Sequence, residues 1–277
     1  MDKHDNVKLI IGLGNPGAEH ETSRHNVGFM ALKRFAEKYF PMPVGKFKSS
    51  VIIKGHTKEG RLILAWPLTY MNVSGRAALE LRAYFKIDPE SNLLVVHDDM
   101  DIPLGKIKVS VGGGAAGHNG VSSIIMAVGA KFARARVGIG RPVKTDGSLP
   151  QGINVDYVLR SFAREEEPDL EKGLELAAEA INSWLNEGSA LTQMRYNKKT
   201  RERTRKVAEG QSVPAPAREG AEGPSGPDPA PKGAEGQSVS AAGGAEAFPA
   251  ADGENSPEAA LSAPPGALSP PEGDASA

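Results

Sequence analysis

The sequence predicts an α/β domain built on a largely parallel central sheet and followed by a disordered tail. Short apolar runs alternate with amphipathic helical patterns through roughly the first 190 residues, the rhythm of strand–helix–strand units. Polar or glycine-rich loops follow several of those runs, which is where α/β proteins place their chemistry. From Val207 onward the chain is almost all Ala, Gly, Pro, Ser and Glu, with Phe248 its one aromatic residue and no Ile. Such a segment buries too little apolar surface to offset the entropy of ordering its backbone. Residues 1–206 therefore read as one domain and 207–277 as the tail.

The elements follow in order. Leu9, Ile10 and Ile11 form a buried strand that opens into a loop where Gly12, Gly14, Asn15, Pro16 and Gly17 set five turn formers in six positions. Residues 27–39 carry Val27, Ala31 and Phe35 at spacing four, an amphipathic helix ended by Pro41 and Pro43. Residues 50–53 and 62–65 are β-rich around the turn Lys58-Glu59-Gly60, a hairpin or strand pair. A polar and aromatic loop, 67–72, leads to a helix with Val73, Ala77, Leu81 and Phe85 on one face, stopping near Pro89. Residues 93–96 make a buried strand that runs into His97, Asp98, Asp99, Met100 and Asp101. Residues 106–111 alternate basic and apolar side chains, as an edge strand does. Gly112, Gly113 and Gly114 lead to Gly117-His118-Asn119-Gly120 and a helix from about Val121. Residues 134–139 read as a strand, 154–159 as a short one, and 166–186 as a long helix with Leu170, Leu174, Ala177 and Ile181 inside. If the strands are parallel neighbours, loops 15–25, 97–101 and 112–119 converge at the carboxyl edge of the sheet.

Charge divides between the two parts. The tail holds eleven acidic and two basic residues, net −9, whereas the whole chain is −1, so residues 1–206 carry +8. A basic globular part suits a polyanionic partner such as nucleic acid. The chain has no cysteine, which excludes disulfides, thiolate nucleophiles and thiolate-bound metals. It has no apolar run long enough to span a membrane and no apolar signal segment after Met1, so a soluble, cytoplasmic protein without membrane contact is expected.

Gly12 to Gly17 formally fits the dinucleotide fingerprint, yet the helical pattern begins only near Asn26, too late for a helix N-terminus to meet a pyrophosphate. Pro16 also lacks a backbone donor. Ser74 and Ser122 lack the flanking glycines of a nucleophile elbow. His25, His97 and Asp98 are candidate metal ligands, but no His-x-x-x-His pair accompanies them, and no metal or cofactor is expected. What remains is a histidine, a carboxylate and several asparagines. A neutral imidazole takes a proton from water, a carboxylate on its other nitrogen stabilises the imidazolium, and asparagine amides donate to a developing oxyanion. The set suits hydrolysis of an activated ester by direct water attack. Spacing alone does not choose among Asp98, Asp99 and Asp101, and His4 and His56 read as structural.

Six motifs then stand in register: Gly12-Leu13-Gly14-Asn15-Pro16-Gly17, Arg24-His25-Asn26-Val27-Gly28, Tyr70-Met71-Asn72-Val73-Ser74-Gly75, His97-Asp98-Asp99-Met100-Asp101-Ile102-Pro103, Gly117-His118-Asn119-Gly120 and Val137-Gly138-Ile139-Gly140-Arg141-Pro142. In order and spacing they resemble the bacterial peptidyl-tRNA hydrolase family over residues 7–197. The resemblance implies a single, monomeric three-layer α/β/α domain with a mostly parallel, mixed twisted sheet. It implies cleavage of the ester between a peptide and the 3′ end of tRNA. By that likeness His25 is the base, Asp98 orients it, and Asn15 senses the peptide carbonyl. Asn72 and Asn119 bind the peptide and the tRNA end, Met71 and His118 frame the cleft, and Tyr70 lies near the tRNA terminus. His20 stands where the family has a tyrosine that contacts tRNA, Ser23 where it has a threonine, and Ser122 where it commonly has a basic residue. Lys106, Lys108, Arg134, Arg136 and the run 195–206, with seven basic residues and one acid, supply positive charge elsewhere. The acidic tail is unlike the family. The competing readings are a catalytically silent RNA-binding protein on the same fold and a nucleotide-binding domain.

Overall fold

The structure, a computed structural model, describes residues 6–142 and 155–208, with 198–208 by backbone alone. His4, the tail beyond residue 208 and the side chains of most of the basic run lie outside the described residues. The strands are β1 (Val7–Gly12), β2 (Val44–Phe47), β3 (Ser50–Thr57), β4 (Gly60–Pro67), β5 (Leu93–Asp99), β6 (Ile107–Val111) and β7 (Ala133–Gly138). They form one sheet in the order β2-β3-β4-β1-β5-β7-β6. The four inner strands β4, β1, β5 and β7 are parallel, while β2, β3 and β6 are antiparallel to their neighbours. The helices are α1 (Val27–Tyr39), α2 (Ser74–Phe85), α3 (Pro89–Asn92), α4 (Asn119–Val128), α5 (Val155–Leu159) and α6 (Glu167–Ala208).

Alternation along the inner strands sorts the core into two layers. Ile10, Leu94, Val96 and Ala135 pack with Leu32 and Phe35 of α1 and with Leu174, Ile181 and Trp184 of α6. Leu9, Ile11, Val95 and Phe132 pack with Ala78 and Leu81 of α2 and with Val121 and Ile124 of α4. Helices thus cover both faces, as the expected α/β/α order requires.

The glycine motif is used for close packing. A Cβ on Gly12 would lie 2.6 Å from the Gly28 carbonyl oxygen, and one on Gly14 would lie 2.6 Å from the Phe29 ring. A Cβ on Gly28 would lie 2.4 Å from the Val96 oxygen and 2.6 Å from the Leu13 oxygen. The first turn of α1 is therefore seated directly on the ends of β1 and β5, and Phe29 N donates to the Leu13 oxygen at 3.1 Å. Gly28→Ala forces backbone apart at this crossing. It is expected to destabilise by about 2–3 kcal/mol, the upper range for overpacking, with activity falling alongside, checked by urea unfolding.

Five elements differ from the sequence expectation. The short strand expected at 154–159 is the single-turn helix α5, from Val155. Its β-branched residues suggest a strand, but Val158 is buried, and Tyr157 bonds the Ile139 oxygen at 2.8 Å and lies against the Arg24 guanidinium. The exposed edge strand β2 carries no alternation that would mark it. Pro89 starts the short helix α3, with Asp88 as its N-cap, a favoured first-turn place for proline. The long helix α6 passes Asn186 and breaks at Gly188, whose φ of +77° no other residue type adopts cheaply.

The largest difference is the direction of β6. Being antiparallel to β7, it ends with Val111 beside Ala133, at the amino edge of the parallel strands. The loop 112–118 therefore starts at the wrong edge and crosses the sheet face to reach the carboxyl side. Arg134 holds it there, donating to the Gly114 and Gly113 oxygens at 2.6 Å each. At the outer edge of β6, Val109 N donates to Asn197 Oδ1 at 2.9 Å and Asn197 Nδ2 donates to the Val109 oxygen at 2.8 Å.

Candidate active site

A cleft of about 870 Å³ opens above the carboxyl ends of β1 and β5. Asn15, His25, Tyr70, Met71, Asn72, Asp98, His118 and Asn119 all line it. His20 does not. It sits on a 3-10 turn with Glu19 at 3.8 Å and away from the cleft wall.

At the centre, Asp98 Oδ1 meets His25 Nδ1 at 2.8 Å and His118 Nε2 at 2.9 Å. His25 comes from a 3-10 turn just ahead of α1, Asp98 from the end of β5, and His118 is the N-cap of α4. The tautomers follow from the partners. Gly120 N and Val121 N both donate to His118 Nδ1, at 3.1 and 3.3 Å, so that nitrogen carries a lone pair. Neutral His118 then carries its proton on Nε2 and donates it to Asp98. His25 donates Nδ1–H to the same oxygen, which leaves Nε2 as its basic nitrogen. Burial alone would raise the Asp98 carboxyl, but His118 and His25 together overcome it and hold the group well below the usual carboxylate range. The carboxylate is thus ionised at neutral pH.

The same helix cap bears on metals. His25, Asp98 and His118 offer ligand atoms within 4.8 Å of one another. With Nδ1 committed to the helix N-terminus and Nε2 protonated, His118 has no lone pair left for a cation unless the cap breaks. The residues present do not fit a resident metal.

Asn15 is fixed by groups that leave one end open. Met71 N donates to its Oδ1 at 2.8 Å, which assigns the amide and turns Nδ2 outward as a donor. Asn26, to which its motif gives no role, clamps the Asn15 backbone: Asn15 N donates to Asn26 Oδ1 at 2.8 Å and Asn26 Nδ2 donates to the Asn15 oxygen at 2.9 Å. Its only sequence signal is its place beside His25. Asn72 and Asn119 are exposed and make no side-chain hydrogen bond among the described residues, while Tyr70 stands 65 % exposed at the rim.

The other acids have other partners. Asp99 Oδ2 pairs with Arg136 at 2.7 Å, and Asp101 Oδ1 pairs with Arg141 at 2.6 Å. Of the basic residues offered by the sequence, Arg134 is buried against the glycine loop and Arg136 is partly exposed in the cleft. Arg24 is buried and donates to the Ser161 oxygen and to Glu166, both at 2.5 Å, so it ties the segment after α5 to the turn that carries His25.

His97, which precedes Asp98 on β5, also lines the cleft. Its Nδ1 donates to the Asp98 backbone oxygen at 2.7 Å, and its buried Nε2 meets no partner among the described residues. Burial, with His118 alongside, pushes it down to about 3. In the unfolded chain a histidine titrates near 6.5, so between about pH 6.5 and 3 the unfolded state binds a proton that the folded state refuses. Stability is full above that window and falls with pH inside it, by about 1.4 kcal/mol per unit. From pH 7 to pH 4.5 the wild type is expected to lose about 2.5 kcal/mol more than His97→Asn, measured by urea unfolding at both pH values.

Comparisons with known proteins bear on the sequence and the fold. The sequence profile of the peptidyl-tRNA hydrolase family matches residues 9–204. A peptidyl-tRNA hydrolase of Bacillus cereus (strain Q1) is 45% identical over 183 residues, 65% of this chain and 94% of its own length. One from Geobacter sulfurreducens is 43% identical over 194 residues, 70% of this chain and 96% of its own. The crystal structure of peptidyl-tRNA hydrolase from Acinetobacter baumannii superposes with a TM-score of 0.62 at 29% identity, covering 71% of this chain and 97% of that one. The fold and the relatives define the class, a hydrolase on a mixed, mostly parallel sheet. The chain belongs to the peptidyl-tRNA hydrolase family. Among the described residues no helix is long and apolar enough to cross a membrane.

Proposed function

We propose that the protein hydrolyses the ester between a peptide, or an N-blocked aminoacyl group, and the 3′ end of tRNA, and so recycles tRNA from prematurely released peptidyl-tRNA. The observation that carries the reading is the single Asp98 oxygen accepting His25 Nδ1–H inside the cleft, which leaves His25 Nε2 basic. In the reaction, Nε2 takes a proton from water as the oxygen attacks the ester carbonyl. The Asp98 carboxylate stabilises the imidazolium, and the same proton passes to the departing ribose oxygen. The open Nδ2 donor of Asn15 serves the carbonyl oxygen as it gains charge. Asn72 and Asn119 bind the peptide and tRNA end, Met71 and His118 shape the walls, and Tyr70 offers a face to an unpaired base. His20 contributes to tRNA contact from outside the cleft. The enzyme needs no metal or cofactor, and it acts as a cytoplasmic monomer.

The test is release of the acyl group from an N-acylated aminoacyl-tRNA, with the unblocked aminoacyl-tRNA as control. Turnover of the blocked substrate alone supports the reading. Tight tRNA binding without turnover would make the chain a silent RNA-binding relative. Asn15→Asp replaces the open donor with an acceptor while the Met71 N–H still meets an oxygen. Its expected effect is a loss of about a hundredfold in kcat/KM with little change in melting temperature, compared with wild type in the same release assay.

A further inference from the structure

The geometry points to His97 as a positioning residue for the reaction: by donating to the Asp98 backbone carbonyl it fixes the carboxylate that pairs with His25. The inference rests on His25 acting as the base.

The reason lies in where β1 leaves the sheet. In a strand, carbonyls two residues apart point to the same side. The Val96 oxygen points toward β1, where it accepts Leu13 N at 2.9 Å. The Asp98 oxygen therefore points the same way, but the pairing of β1 with β5 ends at Gly12 and Val96. On the opposite side the sheet continues, and the Asp99 oxygen accepts Ile139 N at 3.1 Å. Asp98 is thus the first residue of β5 whose carbonyl lacks a strand partner, in a place where the residue is 4 % exposed. An unpaired buried carbonyl is costly, and the peptide plane that holds it is free to tilt. His97 Nδ1–H supplies the missing donor at 2.7 Å.

Three imidazoles consequently converge on one residue. His25 and His118 donate to the Asp98 side chain and His97 to its backbone. The His97 ring also stands edge-on to His118, with centroids 4.8 Å apart. The titratable and charged groups that face His97 are His118, Asp98 and, from β7, Arg134. A tilt of the Asp98 peptide would move the carboxylate relative to both imidazoles, and displacements of about 1 Å at such a site cost up to about a hundredfold in rate.

Two variants separate the hydrogen bond from the ring. His97→Asn places Nδ2 where Nδ1 stood and keeps the donor. His97→Phe keeps the ring against His118 and removes the donor. Both are assayed with the full-length chain on N-acylated aminoacyl-tRNA across pH, after wild type and His25→Ala have established the base independently. His97→Asn is expected to stay within about threefold of wild type with the same acid limb. His97→Phe is expected to lose about ten- to a hundredfold in kcat at constant KM. Its acid limb should move to lower pH by about half a unit or more, because a displaced carboxylate stabilises the His25 imidazolium less. If His97→Phe fails to fold, His97→Ala takes its place. Equal activity in all variants overturns the proposal, and so does an equal loss in both with an unmoved acid limb. Loss of activity in His97→Asn with a shifted limb overturns it too, since that variant retains the donor.

Discussion

His25→Ala is expected to lower release of peptide from N-acylated aminoacyl-tRNA by about 10²- to 10⁴-fold, the range that a positioned general base contributes. The loss should fall on kcat. Asn72, Asn119 and Tyr70 do not depend on His25 for their placement, so tRNA affinity is expected to hold within a few-fold. The fold should hold as well, because Asp98 keeps its bond to His118 and the turn carrying residue 25 is secured by the buried Arg24 on the segment 160–166. Wild-type turnover is expected to survive EDTA, since the helix cap leaves His118 no lone pair for a cation. Full activity in His25→Ala, or loss of wild-type activity in EDTA, would remove the mechanism.

Asp98→Asn isolates charge from geometry. His118 presents a fixed Nε2–H, so the new amide must turn its oxygen toward that donor. The same oxygen then still accepts His25 Nδ1–H, and His25 keeps the tautomer that leaves Nε2 basic. What disappears is the negative charge beside the imidazolium. The expected result is about a hundredfold loss in kcat or more, with an acid limb shifted to lower pH and a melting temperature near wild type. Asp98→Ala instead strands two buried imidazole donors and is expected to cost about 2–4 kcal/mol in stability as well. A pH–rate profile and a denaturation curve for each variant distinguish the two effects. An Asp98→Asn enzyme with an unmoved acid limb would show that the carboxylate does not act through the His25 imidazolium.

Much of the site could be read in the chain because it hangs on local signals. His25, Asn15 and the glycines share one strand–loop–helix segment, and a buried strand running straight into His97 and Asp98 marks the second wall. Gly12, Gly14 and Gly28 could be read as permissive backbone, but their use, seating α1 on two strand ends, is a three-body contact with no local signature. The choice of Asp98 over Asp99 and Asp101 was equally invisible to spacing. In the structure Arg136 pairs with Asp99 and Arg141 with Asp101, while Asp98 meets His25 and His118. The role of Asn26 cannot be read from its motif, because it completes backbone hydrogen bonds of a residue eleven positions earlier. The reversal of β6 could not be read either, since alternation fixes a strand's faces and says nothing of its direction. The glycine loop reaches the cleft by crossing the sheet, and only the partners of Arg134 reveal that path. At 155–159, β-branched residues suggested a strand where the contacts of Tyr157 favour a helical turn.

The amide of Asn197 on β6 has a consequence for turnover. An open edge strand offers a row of backbone donors and acceptors on which any extended segment can add itself as a further strand. Val109 is the middle residue of β6, and Asn197 occupies both of its outward groups with a side chain that mimics a peptide unit. With the central rung filled, no two adjacent rungs remain for an incoming backbone. A hydrolase that frees a peptide beside an open edge would offer that peptide a strand to join. Here the chain's own helix α6 fills the centre of that edge, so a peptide finds no run of open backbone along β6.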